Sequence, residues 1–327
     1  MRRWTAIMAA VIFLGIGLAA GFSLRGYSGQ VFLHYPDGKG PDQKAIEKME
    51  DGEKEAAEWK LPRFAAWRME EGVEVKANTP GKKIIAECMT VYGEKGLAAP
   101  LPLYAGNFGS AKDKVGCVVS QGLAMELFGS GQVVGMELLC MDKTYKIRGV
   151  MKEKKNLVLL PSSGQPAFES LLFDYGEGES GKMEVQKLLF RYGIDSESLS
   201  ADGALFFSGT MFFVYLAAAS FFFCGIYEFG RQYRERDAMD VIPVFLIVFS
   251  AMVCFFLLSR GGASVPQEFI PTRWSDFDFW VNKYREIKGC LTQLFKLMDL
   301  YWPAFVVKRA AVGIGSSFLA VLAMTFR

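Results

Sequence analysis

Four stretches of this 327-residue chain are long and apolar enough to cross a lipid bilayer: Trp4–Leu24, Ala204–Tyr227, Val241–Ser259 and Pro303–Phe326. No other feature constrains the fold as much. A hydrocarbon core of about 30 Å takes roughly 20 helical residues. Backbone groups inside it must bond within their own segment, so these stretches are expected to be helices. Hydrophobic residues make up 51% of the chain and charged residues only 22%, and the apolar excess is concentrated in these four runs. The last run carries Lys308 and Arg309 in its first turns, where their stems can snorkel toward the interface.

The first run follows Arg2-Arg3 and so resembles a secretory leader. It is longer than a usual leader core, and Leu18 occupies a position that cleavage after Ala20 would want small, so residues 4–24 are read as an uncleaved anchor. Arg2 and Arg3, the group Arg231, Arg234 and Arg236, and Arg327 share one side if both termini are cytoplasmic; Arg25, Arg260, Lys308 and Arg309 oppose this weakly. The expected organisation is then a helix at 1–24, an extracytoplasmic domain at 25–203, and a membrane domain at 204–327. That last part has spans near 204–227, 241–259 and 303–326 and an outer loop at 260–302.

Residues 25–203 alternate strand and helix patterns. Pro41–Lys60 reads as a helix; Val73–Asn78 and Lys83–Tyr92 read as strands around the turn Thr79-Pro80-Gly81. Lys114–Ser120 reads as a buried strand, and Ser120 can cap a helix Gln121–Phe128 that Gly129 ends. Val133–Met141 and Thr144–Met151 form a predicted hairpin turning at Asp142-Lys143. Asn156–Leu160 and Phe168–Tyr175 are further strands, and Lys182–Tyr192 is a helix with Val185, Leu188 and Leu189 on one face. The fold class is α+β. The domain is slightly acidic, which argues against nucleic acid as a partner.

Catalytic signals are sparse. His34 is the one histidine, and no motif supplies it with a nucleophile or ligands. One histidine and no CxxC spacing argue against zinc, and no cofactor or metal is expected. Cys224 and Cys254 sit in spans; Cys88, Cys117, Cys140 and Cys290 are either buried thiols or disulfide partners in an oxidising compartment. Glu70-Glu71 and Asp276/Asp278 read as solvated carboxylates rather than acid–base pairs. Gly176–Met183 (GEGESGKM) approaches a phosphate-binding loop, but Met183 stands where a metal-binding hydroxyl belongs, and Glu177 and Glu179 would repel phosphates. Gly17/Gly21 and Ala311/Gly315 are small-xxx-small steps that allow close helix approach.

Cys117–Val150 carries a more specific pattern: Val118-Val119-Ser120, Leu123-Ala124, Leu127-Phe128-Gly129-Ser130, Val134-Gly135, then Tyr145, Ile147 and Gly149-Val150. It resembles the outer domain of MacB/FtsX-type ABC transporter permeases, with Ala66-Trp67 and Val91-Tyr92-Gly93 as looser upstream matches. The resemblance implies a MacB-like periplasmic core between the first and second of four spans, in a multi-pass protein of the bacterial cytoplasmic membrane. It implies a non-catalytic permease-like subunit for export, efflux or mechanotransmission, a homo- or heterodimer partner, a separate ABC ATPase and an adaptor. The loop holding Arg231, Arg234 and Arg236 is the candidate ATPase-facing element, but lacks the family's Glu-Ile-Gly core. An ATPase-independent envelope scaffold or sensor is therefore the alternative. The outer loop is rich in aromatics, Trp274, Phe277, Phe279, Trp280, Tyr301 and Trp302, which read either as an interfacial aromatic belt or as a partner-docking surface, the latter centred on Trp274, Phe277, Phe279 and Trp280.

Overall fold

In a computed structural model, the described residues are 2–55, 61–77, 82–164, 167–176, 181–194, 198–233 and 277–325. Among the described residues, three helices are apolar and long enough to span: Thr5–Tyr27, Gly203–Cys224 and Tyr301–Thr325. The third expected span, 241–259, lies outside the described residues. These candidate spans, called spans below, belong to α1 (Arg2–Leu24), α6 (Gly203–Tyr233) and α8 (Tyr301–Thr325).

Among the described residues, ten strands form one connected sheet above this bundle. They are β1 (Gln30–His34), β2 (Arg63–Ala77), β3 (Lys83–Gly93), β4 (Leu103–Gly106), β5 (Gly116–Ser120), β6 (Glu137–Cys140), β7 (Lys143–Met151), β8 (Leu157–Pro161), β9 (Ser170–Asp174) and β10 (Leu199–Asp202). The order is β10-β1-β9-β2-β3-β8-β5-β7-β4, with β6 pairing both β2 and β7. That double pairing closes β2, β3, β8, β5, β7 and β6 into a ring. The head domain is therefore a six-stranded barrel continued at one side by an open sheet of β9, β1 and β10.

Alternation along the strands divides the core. In β1, Phe32 faces the bundle, while Val31 and Leu33 face α2 (Gln43–Glu55) and α5 (Lys182–Arg191) on the other side. Leu172 against Leu171 and Phe173, and Ala65 and Trp67 against Phe64 and Ala66, repeat the division in β9 and β2. The barrel interior is a third cluster, built from Val119, Ile147, Val158 and their neighbours. It is closed by α4 (Gln121–Phe128), the helix after the single turn α3 (Lys95–Ala98), and α4 buries Leu123, Ala124 and Leu127.

Local chemistry explains these elements. Ser120 Oγ accepts from Leu123 N and from Leu157 N, both at 3.1 Å, so one hydroxyl caps α4 and fastens β8. Gly129 ends α4 at φ 72°. The β6–β7 hairpin turns at Met141-Asp142, with φ of 49° and 57°, one residue earlier than the sequence suggests; Cys140 pairs directly with Lys143. β2 is much longer than Val73–Asn78, because Phe64–Trp67 is covered on both faces and shows no alternation. The helix expected at 41–60 is described as Gln43–Glu55, and Asp42 Oδ1 accepts from Ala45 N at 2.8 Å. β1, β4 and β10 have no counterpart in the sequence reading.

The junction between bundle and head domain

The closest-built polar and aromatic cluster lies where the three spans meet the sheet. Trp302, in the first turn of α8, is 1% exposed. Its Nε1 donates to Gln30 Oε1 at 2.8 Å, so the buried indole donor is satisfied by the first residue of β1. Its ring stacks on Phe32, with centroids 5.2 Å apart, and meets Phe206 of α6 edge-on at 6.4 Å. Phe32 also packs on Trp67 of β2 at 6.0 Å. One side chain thus touches a span, a second span and the sheet. Below it Tyr27 stacks on Phe305 at 4.6 Å, and the Arg309 guanidinium lies 5.4 Å from the Phe305 centroid.

The connections are short. One 3-10 turn, Arg25–Tyr27, and the pair Ser28-Gly29 join α1 to β1. β10 ends at Asp202, and α6 begins at Gly203. Asp202 Oδ1 accepts from Ala204 N at 2.9 Å, capping α6. Gly203 fits against the carbonyls of Tyr27 and Gln30, where a Cβ would collide with backbone. A displacement of α1, α6 or α8 therefore reaches the sheet with little slack to absorb it.

The bundle beneath is held by small residues. Gly17 and Gly21 of α1 face α8 and α6: a Cβ on Gly17 would lie 3.0 Å from Ser316 Oγ, and one on Gly21 would meet the Met211 side chain. The first small-residue step is thus used within the chain. Its partner on α8 is Gly313, which backs onto Thr210 and Ala20, while Ala311 and Gly315 face away from the bundle.

Other sequence candidates are dispersed. Arg231 lies in the last turn of α6; Arg234 and Arg236 lie outside the described residues, as do Trp274 and Asp276. Of the aromatic group, Phe277 is 79% and Trp280 36% exposed, whereas Phe279 is half-buried two positions from Phe277, so the group does not share one face. Trp302, which the sequence places in an aromatic-rich loop, is instead core.

The thiols are free: Cys88, Cys117 and Cys140 are buried inside the barrel, and Cys290 is half-buried. A hydrogen bond with Cys140, together with burial, pushes the Cys88 thiol up. Burial pushes Cys117 up to about 12. Held protonated in this way, Cys88 and Cys117 are poor nucleophiles.

His34 does have a hydroxyl neighbour, because its Nδ1 lies 3.0 Å from Ser170 Oγ. Burial lowers its pKa, partly offset by Glu169. Ser170 is 1% exposed, however, and neither described cavity includes it or His34. The pair bonds β1 to β9 at the register position His34↔Ser170. The larger cavity, about 570 Å³, lies between α2 and β2–β3. There Tyr92 Oη donates to Glu50 at 2.7 Å, and Lys54 pairs with the same carboxylate at 2.7 Å. Burial pushes Glu50 up, but bonds from Lys54 and Tyr92 outweigh it and hold the carboxyl below its ordinary value. An ionised, doubly bonded carboxylate beside a protonated phenol offers no activated nucleophile.

In the phosphate-loop look-alike, residues 177–180 lie outside the described residues. Lys182 is turned to Glu286 at 3.5 Å, bracing α5 against a helix of the outer connection.

No protein-family model matches the chain, and no curated protein sequence is similar to it. Among solved structures, it is similar over 54% of its length to the periplasmic region of MacB from Actinobacillus actinomycetemcomitans, covering 90% of that chain at 9% identity and TM-score 0.41. It is similar over 52% to the extracellular domain of the noncanonic ABC-type transporter YknZ from Gram-positive bacteria, covering 96% of that chain at 12% identity and TM-score 0.38. A domain of a putative permease protein from Porphyromonas gingivalis is matched over 51% of this chain and 82% of that chain, at 14% identity and TM-score 0.33.

Proposed function

We propose that the chain is a non-catalytic, permease-like membrane subunit that transmits motion between its spans and an extracytoplasmic head domain, driven by a separate ABC-type ATPase. The observation that carries this reading is the Trp302 junction, which ties α8, α6 and β1 into one joint. The sequence pattern of Cys117–Val150 agrees with it.

The length of α6 supports the placement of the ATPase-facing loop. Its 31 residues rise roughly 46 Å at about 1.5 Å each, against about 30 Å of hydrocarbon. Its far end, with Arg231, therefore emerges on the side opposite the head domain. Arg2 and Arg3 begin α1 at the same end. These arginines favour a cytoplasmic face there, with the head domain outside the bacterial cytoplasmic membrane.

The test is reconstitution of the full chain with a candidate ABC ATPase. Retention of the ATPase in mild detergent, and its release when Arg231, Arg234 and Arg236 are changed to alanine, is expected. A clean failure to bind overturns the driven-permease reading. It leaves the scaffold or sensor alternative, which the absent Glu-Ile-Gly core of that loop favours.

A further inference from the structure

The helix α7 (Phe277–Lys296) carries three lengthwise stripes. Lys283, Ile287, Cys290 and Leu294, at helical spacing, are its less exposed side; Leu294 is buried in the junction core. Asn282, Arg285, Gly289 and Gln293 are polar or small and exposed. Between these sides runs an exposed apolar stripe: Phe277, Val281, Tyr284 and Phe295, at 79%, 45%, 65% and 61%. Trp280 stands on its margin and Lys288 within it.

Three contacts fix how α7 lies. Glu286 meets Lys182 at 3.5 Å, at the base of α5, beside the loop whose Gly176 backs onto Gly29 just past α1. Cys290 Sγ lies 3.7 Å from the carbonyl oxygen of Ser200, three residues before α6 begins. Leu294 packs in the cluster that holds Leu24 and Trp302, and Leu297–Leu300 then turn into α8. These contacts lie on β10, the start of α5 and the core shared by the spans and the sheet, so α7 packs along the junction between bundle and head.

We propose that α7 is an interfacial helix whose Phe277–Val281–Tyr284–Phe295 stripe is seated in the bilayer surface on the head-domain side, with Lys288, Arg285 and Lys296 on phospholipid phosphates. A second apolar face beside a buried one requires a cover, and the surface continuous with it is the lipid-facing side of the spans. Trp and Tyr suit that depth, and exposed cations at the margin suit anionic headgroups. The inference requires only that α1, α6 and α8 span a membrane; it does not depend on an ATPase.

The test uses the full chain in nanodiscs of mixed phosphatidylcholine and phosphatidylglycerol. A nitroxide is attached at Val281→Cys or Asn282→Cys, in a background with Cys224→Ala, Cys254→Ala and Cys290→Ser. At 281, collisions with oxygen relative to a water-soluble nickel chelate should be several-fold higher than at 282. Equal ratios with free access for nickel show a wet stripe and overturn the proposal. Shielding of 281 from both reagents shows a protein cover and also overturns it. Without the cysteine changes, brominated phospholipid should quench tryptophan emission less in Trp280→Phe than in the unmodified protein; an unchanged quenchable fraction counts against lipid contact. Failure of these tests leaves the permease reading standing, because that reading is tested by ATPase retention.

Discussion

Trp302 concentrates the junction into one side chain, so its substitutions separate packing from hydrogen bonding. Trp302→Ala removes the ring between Phe32 and Phe206 and should cost about 3–5 kcal/mol of stability. Trp302→Phe keeps much of the packing but leaves Gln30 without its donor, at a cost of about 1–3 kcal/mol. Denaturation of the detergent-solubilised chain measures both; equal losses would show that the ring packing contributes nothing separable, and an unchanged Trp302→Phe would show the same of the hydrogen bond. Ser120 is the comparable residue in the barrel. Ser120→Ala orphans the Leu157 amide and uncaps α4, and should cost about 1–3 kcal/mol by the same measurement.

At His34 the sign of the pH effect follows from burial. Its folded pKa lies below the ordinary 6.5, so the unfolded chain binds the proton more readily. Stability should fall as pH drops through about 6.5 and stop falling once pH is below the folded value. His34→Gln should lose less melting temperature between pH 7 and pH 5 than the unmodified protein does; an identical loss would show that His34 does not contribute.

Among the elements, the two small-residue steps look alike in sequence and differ in the bundle. Gly313→Val should disrupt the α1–α6–α8 packing, because its Cβ position is already taken by Thr210. Gly315→Val, facing open space, should leave the melting temperature within a degree or two. Thermal unfolding in detergent distinguishes them, and comparable losses would contradict the packing described. The elements also show why pattern reading succeeds unevenly. β7 was legible because one face is wet: Tyr145 and Ile147 are buried, Lys146 is exposed and Arg148 half-buried. The first half of β2 was not, because both of its faces are covered and alternation vanishes. β10, only Leu199–Asp202, lacks any pattern of its own and exists because β1 offers it an edge.

For the whole molecule, the short connections imply that head and bundle move as a unit. Gly203→Ala should test this, because its Cβ collides with the carbonyl of Tyr27. The variant is expected to lose the stability of the junction and to broaden the distribution of distances between spin labels on α2 and α6. An unaltered, narrow distribution would argue against a joint that depends on this close fit.

The sequence by itself determined that apolar helices anchor an α+β domain, because twenty apolar residues in a row have few other ways to satisfy their backbone. It determined the cap at Ser120, the stop at Gly129 and the buried face of α5, all of them local events within a few residues. Tertiary structure alone decided that Trp302 is core rather than belt, that Lys182 braces a helix rather than a phosphate, and that Cys88 and Cys140 meet as thiols. Each of these joins residues far apart in the chain: Trp302 meets Gln30 and Lys182 meets Glu286 where helices dock, and Cys88 meets Cys140 because β2 pairs with both β3 and β6. Local propensity carries no record of which strands will pair, and so none of what that pairing places side by side.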